Sequence, residues 1–151
     1  MKPEEPKGFD ATAWTPEQAE DALRAHGCRV TQPRVAVLRA LLESGGTVDA
    51  PMLAERAQAH QPGIHEATVY RTVNVLTEVG IATHVHAGHG PALFRLAGDD
   101  GVVAVCRDCG AIEPVPPEAV DTLIASTAKA NGFVLEPGHF ALEGVCAACA
   151  A

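Results

Sequence analysis

Two Cys-x-x-Cys pairs constrain this chain more than any other feature: Cys106-Arg107-Asp108-Cys109-Gly110 and Cys146-Ala147-Ala148-Cys149. In a reducing compartment such pairs read as a metal site before they read as disulfides. Together they offer four thiolates, the closed tetrahedral set of a structural zinc. Gly110 suits the tight turn after the first pair. The plainer alternative is two unrelated pairs of buried or redox-active cysteines, but a thioredoxin-like motif needs one such pair at a strand-to-helix junction, and here there are two. The fifth cysteine, Cys28, stands apart and reads as a small buried core residue.

A zinc clasp near the C-terminus leaves most of the 151 residues to find another core. At 47% hydrophobic and 20% charged, the chain has the material for one and is not a disordered polyelectrolyte. No apolar run approaches a membrane span and no basic leader precedes one, so a cytoplasmic protein without membrane contact is expected. The net charge of −8 argues against nucleic acid only if charge is evenly spread. It is not. Between Glu20 and Arg71 six arginines balance six acids, whereas from Gly101 onward two basic residues face six acids.

Four helices are predicted in the front half. Thr15-Pro16-Glu17-Gln18 is a capping box opening a helix that stops at Gly27. The second starts at Thr31 and ends at Gly45-Gly46. The third starts at Asp49 and ends before Pro62. The fourth runs from about His65 to Val79 with Gly80 as its cap. On the fourth, Val69, Val73 and Leu76 form a buried stripe, while Thr68, Arg71, Thr72 and Asn74, with Tyr70 beside them, are expected on the open face. Arginine and amide side chains suit the major groove. Strand-like runs 81–87 and 92–96, joined by Gly88-His89-Gly90, complete a winged helix-turn-helix. A plain helical bundle with a hairpin is the competing reading.

The expected organisation is a tail over 1–14, a winged-helix DNA-binding domain over 15–97, a hinge over 98–101 and a small α/β domain over 102–151. The fold class is α+β. The last domain reads as strands 102–105 and 111–113, a helix from Glu118 to Asn131 with Val120, Leu123, Ile124 and Ala128 on one face, and strands 133–136 and 139–143. About 50 residues bury little core alone. Zinc and pairing with a second copy would both help.

Arg29-Val30-Thr31-Gln32-Pro33-Arg34, Ala67-Thr68-Val69-Tyr70-Arg71-Thr72, the two knuckles and Asn131-Gly132-Phe133 occur in an order that resembles the ferric uptake regulator family over roughly residues 20–150. The resemblance implies a dimeric transcriptional regulator, usually a repressor of metal-uptake genes, that binds an AT-rich palindrome in its metal-bound form. It implies a dimerisation domain with a structural four-cysteine zinc, and Tyr70 and Arg71 as main DNA contacts. Thr68, Asn74 and Arg34 complete the expected DNA-binding set.

The departures are equally specific. The histidine-rich run that the family carries before the first knuckle is here Asp99-Asp100-Gly101-Val102-Val103-Ala104-Val105, without a histidine. The family ligand expected near Thr47 is also missing. Asp100, Asp121 and His139 match remnants of a family site. His84, His86 and His89 lie close by on the first wing strand and its turn. Two apart on a strand, His84 and His86 face one side and could share a metal. Three histidines near phosphate or in solvent is the plainer reading.

The expected function is a metal-responsive repressor, with zinc favoured over iron, manganese or nickel for a second, regulatory site. The alternative is a relative that has lost metal sensing and is constitutive or answers a redox or other signal. A further alternative is a zinc-ribbon interaction module without specific DNA binding. An enzyme is not expected. No nucleophile–base arrangement or carboxylate pair stands out, and four thiolates leave zinc no open position for water. No small-molecule substrate is expected either.

Overall fold

The structure, a computed structural model, describes residues 14–139 and 141–151. Of the expected tail only Trp14 falls within this range, and of the candidate ligand His139 only the backbone does.

The capping box forms as the sequence predicts. The Thr15 hydroxyl accepts from the Gln18 amide at 3.2 Å, and Gln18 Oε1 accepts from the Thr15 amide at 2.9 Å. It opens α1 (Pro16–Ala25), which buries Ala19 and Leu23. Helix α2 (Gln32–Ser44) buries five residues from Ala36 to Leu41 and ends at Gly45 in the left-handed region, φ +63°. A two-residue strand that local pattern does not reveal, β1 (Val48–Asp49), leads into α3 (Ala50–Gln58). The Asp49 carboxylate caps α3 by accepting from the Met52 amide at 2.8 Å. Helix α4 (Glu66–Glu78) packs on α2 and α3. Leu38, Leu41, Leu53, Leu76, Val69 and Val73 are essentially fully buried between them. At about 1.5–3 kcal/mol per large aliphatic side chain, this helical core is the main source of stability in the front half.

The hairpin follows as β2 (Ala82–Val85) and β3 (Leu93–Leu96), shorter than the predicted runs, in a sheet of order β1-β3-β2. Four helices and this sheet make the expected winged helix.

The back half contains β4 (Val103–Cys106), β5 (Ile112–Pro114), α5 (Pro117–Asn131), a 3-10 turn (Pro137–His139), β6 (Ala141–Gly144) and α6 (Ala147–Ala150). Strand β4 is central. It pairs antiparallel with β5 and parallel with β6, with Cys106 opposite Gly144. This register carries the first knuckle, at the end of β4, to the start of the second.

One expectation fails here. Residues 133–136 form no strand. The Phe133 amide instead bonds to Asn131 Oδ1 at 3.0 Å, just past the left-handed Gly132, and Phe133 and Val134 stay 62% and 77% exposed. Without a neighbouring strand, extended propensity alone has no ladder to join. On α5 only Val120 is buried; Leu123 is 40% exposed.

The chain forms two compact units. One takes residues up to Thr83 together with Phe94–Asp99, the other His84–Leu93 with Asp100–Ala151. The change of unit at Asp99–Asp100 falls inside the expected hinge. The tip of the hairpin, placed by sequence with the winged helix, belongs to the second unit. The reason is apolar: Val85, Ala87, Leu93 and Val103 form a common buried cluster, with Ile112 and Ala141 against it. Among the described residues, no helix is long and apolar enough to cross a membrane.

Candidate metal centre and nucleic-acid face

The β4–β6 register brings the two knuckles together. The Sγ atoms of Cys106, Cys109, Cys146 and Cys149 all lie within 4.8 Å of one another. A regular tetrahedron with zinc–sulfur arms of about 2.3 Å has edges of about 3.8 Å. The Cys109–Cys146 Sγ separation is 3.7 Å. The surrounding backbone holds each knuckle. Gly110, at φ +75°, returns its amide to the Cys106 carbonyl at 2.8 Å, and the Cys149 amide bonds to the Cys146 carbonyl at 3.0 Å.

The donors are graded electrostatically. The Cys146 backbone amide, at 3.3 Å from Cys106 Sγ, and that of Cys109 hold the Cys106 thiol down at about 6. Cys149 is pushed up to about 12, chiefly because its neighbours Cys146 and Cys109 compete for the same charge. Crowded thiols cannot all ionise unaided, whereas a divalent cation removes the conflict. The set fits a structural zinc, and the four cysteines would fill its coordination sphere.

On α4 the buried side is Val69, Thr72, Val73 and Leu76. Thr72, expected on the open face, is 4% exposed. Its position three after Val69 and four before Leu76 places it in the helical stripe. Arg71 and Asn74 are exposed, and Thr68 and Tyr70 are half-buried. The Tyr70 ring stands edge-on to Phe94, with centroids 5.6 Å apart and planes at 82°. Arg34, half-buried on α2, donates from its guanidinium to the Arg29 carbonyl.

The histidines are less concentrated. His84 is half-buried, while His86 and His89 are exposed. Burial first, then the charge of His86, lowers the His84 pKa. Asp100 and Asp121 are exposed. Among the described residues, only the four cysteines gather three or more ligand atoms within reach of one metal.

Sequence reasoning overlooked three features. Glu143 on β6 packs its carboxylate over Gly88, where a Cβ would lie 2.3 Å from Oε2. The His86 carbonyl beside it accepts from the Ala141 amide at 3.2 Å. Arg95 on β3 is fully buried. Its neighbours Leu93 and Phe94 are buried too, so no alternation in the sequence marks it. Cys28, read as core, is only half-buried. It follows Gly27, beyond the Ala19–Leu23 stripe of α1.

The family model of the ferric uptake regulator family matches residues 25–142. The ferric uptake regulation protein 1 of Mycolicibacterium fortuitum is 34% identical over 116 residues, 76% of this chain and 71% of its own length. The zinc uptake regulation protein of Escherichia coli is 28% identical over 135 residues, 87% of this chain and 79% of its own. Among solved structures, a zinc uptake regulator complexed with zinc and DNA superposes with a TM-score of 0.52 at 27% identity, covering 89% of this chain and 92% of that one. With two converging knuckles in one unit, a helical unit carrying α4 in the other and a family match over most of its length, the chain belongs to the ferric uptake regulator family.

Proposed function

We propose that this protein is a DNA-binding transcriptional repressor of metal-uptake genes, built around a structural zinc and responsive to a second divalent metal, zinc before iron. The carrying observation is the α4 face. Arg71 and Asn74 stand exposed on a helix anchored by a continuous buried stripe. That face would enter the major groove of a palindromic operator, with Thr68, Tyr70 and Arg34 at its margins. The similarity to a zinc uptake regulator solved with zinc and DNA supports it.

A homodimer follows from the second unit. Leu123, Phe133, Val134, Leu142 and Val145 are all at least 36% exposed on a small sheet-and-helix unit. An apolar surface of this kind is stabilised by a partner of the same shape. Two copies then present two α4 helices to the half-sites of a palindrome.

The regulatory metal would use His84 and His86, which strand alternation would put on one side. His89, Asp100, Asp121 and His139 are the further candidate donors that the sequence offers. Zinc is favoured by imidazole ligation and by the likeness to a zinc uptake regulator. A second reading rests on one observation: among the described residues, only the four cysteines form a group of three or more ligands. It makes the protein a family member whose DNA binding no longer follows a second metal. Neither reading has a catalytic step, because four thiolates close the zinc.

Titrating an AT-rich palindromic fragment with wild-type and Arg71→Ala protein tests the DNA reading. The proposal expects the wild type to bind and the variant to lose affinity. Equal affinities would overturn it.

A further inference from the structure

We propose that the helical unit also binds a small organic polyanion, in an open cavity beside Cys28. The cavity measures about 830 Å3 and is lined by Arg24 of α1, Cys28 and Arg29 of the α1–α2 connection, Val35 and Arg39 of α2, and His60 beyond α3. Its size falls in the range of small-molecule sites, roughly 300–1,000 Å3.

Charge points to the class of ligand. In a chain of net charge −8, three guanidinium groups line one cavity whose lining contains a single carboxylate, Glu20. Arg24 is already held by Glu20 at 3.2 Å and Asp21 at 2.8 Å. His60 Nε2 lies 2.9 Å from the Glu43 carboxylate. Arg29 and Arg39 form no ion pair with a described residue. Two cations around one shared cavity repel each other until an anion lies between them. Guanidinium groups grip carboxylate and phosphate with two parallel hydrogen bonds.

The cavity is too large for one bare phosphate, and Val35 and Ala36 add an apolar wall. A metabolite carrying two or more carboxylate or phosphate groups on a small carbon frame fits both facts. Arg39, half-buried on α2, faces such a ligand inside the cavity. Cys28 sits on the same lining with a half-buried thiol, where a bound ligand would shield it. The site rests on the helical unit alone and requires neither DNA nor a second metal.

The test uses the full-length zinc-loaded protein without DNA. Citrate and pyrophosphate are titrated separately by calorimetry, and the rate of Cys28 alkylation by iodoacetamide is followed with and without each. The proposal expects at least one of them to bind in the submillimolar range and to slow alkylation. Citrate binding alone would assign a carboxylate ligand, pyrophosphate binding alone a phosphorylated one. Arg29→Gln and Arg39→Gln should each weaken binding by about tenfold, and Arg39→Lys by less. Arg107→Gln, in the other unit, should change nothing. The proposal is overturned if neither anion binds, or if binding survives both Arg29→Gln and Arg39→Gln undiminished.

Discussion

The backbone amide of Cys146 donates to the sulfur of Cys106, 40 residues earlier, at 3.3 Å. That bond joins the start of the second knuckle to the end of β4. It selects Cys106 as the thiol that ionises most readily, at about 6. The second unit is thereby closed from one end to the other, and a metal at the four sulfurs fastens the closure.

Loss of any one ligand should therefore do more than weaken metal binding. Cys109→Ser or Cys149→Ser is expected to abolish stoichiometric zinc and unfold the second unit, since structural zinc contributes on the order of 10 kcal/mol in small domains. Zinc content by atomic absorption and near-ultraviolet circular dichroism check this. Cys28→Ser, outside the cluster, should leave both unchanged.

Arg71→Ala removes the charged group at the centre of the exposed α4 face. The expected cost is about 1–3 kcal/mol of operator binding, roughly five- to 150-fold in Kd. Fluorescence anisotropy at fixed salt measures it. Thr72→Ala tests the correction to the helix face. Thr72 is buried, so the variant should lower thermal stability rather than act through a lost DNA contact.

Structure that is set locally is legible in the sequence. Thr15 and Gln18 are three residues apart, and capping needs nothing else. Within each knuckle, the Cys-x-x-Cys spacing fixes the geometry of a pair of sulfurs. Structure that a distant partner decides is not legible there. Thr72 is polar, but its position in the 69–72–73–76 stripe buries it against neighbouring helices. Residues 133–136 have strand-forming types and no strand beside them. Val85 and Leu93 lie within one hairpin, yet the company of Val103 assigns them to the second unit. Arg95 sits among apolar neighbours with nothing in its local sequence to announce burial.

Gly88 holds a positive φ of +50° directly beneath the Glu143 carboxylate. Gly88→Ala should destabilise the protein by about 1–2 kcal/mol from the backbone alone, plus the cost of displacing Glu143. Because the clashing atom ends a flexible side chain, Glu143→Ala should restore only the second contribution. A double-mutant cycle by chemical denaturation separates the two.

His84 carries a pKa lowered by burial and then by His86. The unfolded chain thus binds the proton more readily than the folded one. Stability from this group is full above the ordinary histidine value of about 6.5. It is lost as pH falls through the folded value. With chelator present, denaturant midpoints measured between pH 7.5 and 5 should fall on the acid side, and His84→Asn should flatten that part of the curve.

The central claim is a zinc-built, DNA-binding regulator, and metal content and operator affinity measured on one purified sample test it most directly. About one zinc per chain should survive mild chelation. The same sample should bind an AT-rich palindrome specifically, and more tightly when Zn(II) is added back at a second equivalent. A sample that folds and stays dimeric with no zinc, or one that holds its zinc but binds the palindrome no better than unrelated DNA, would contradict it.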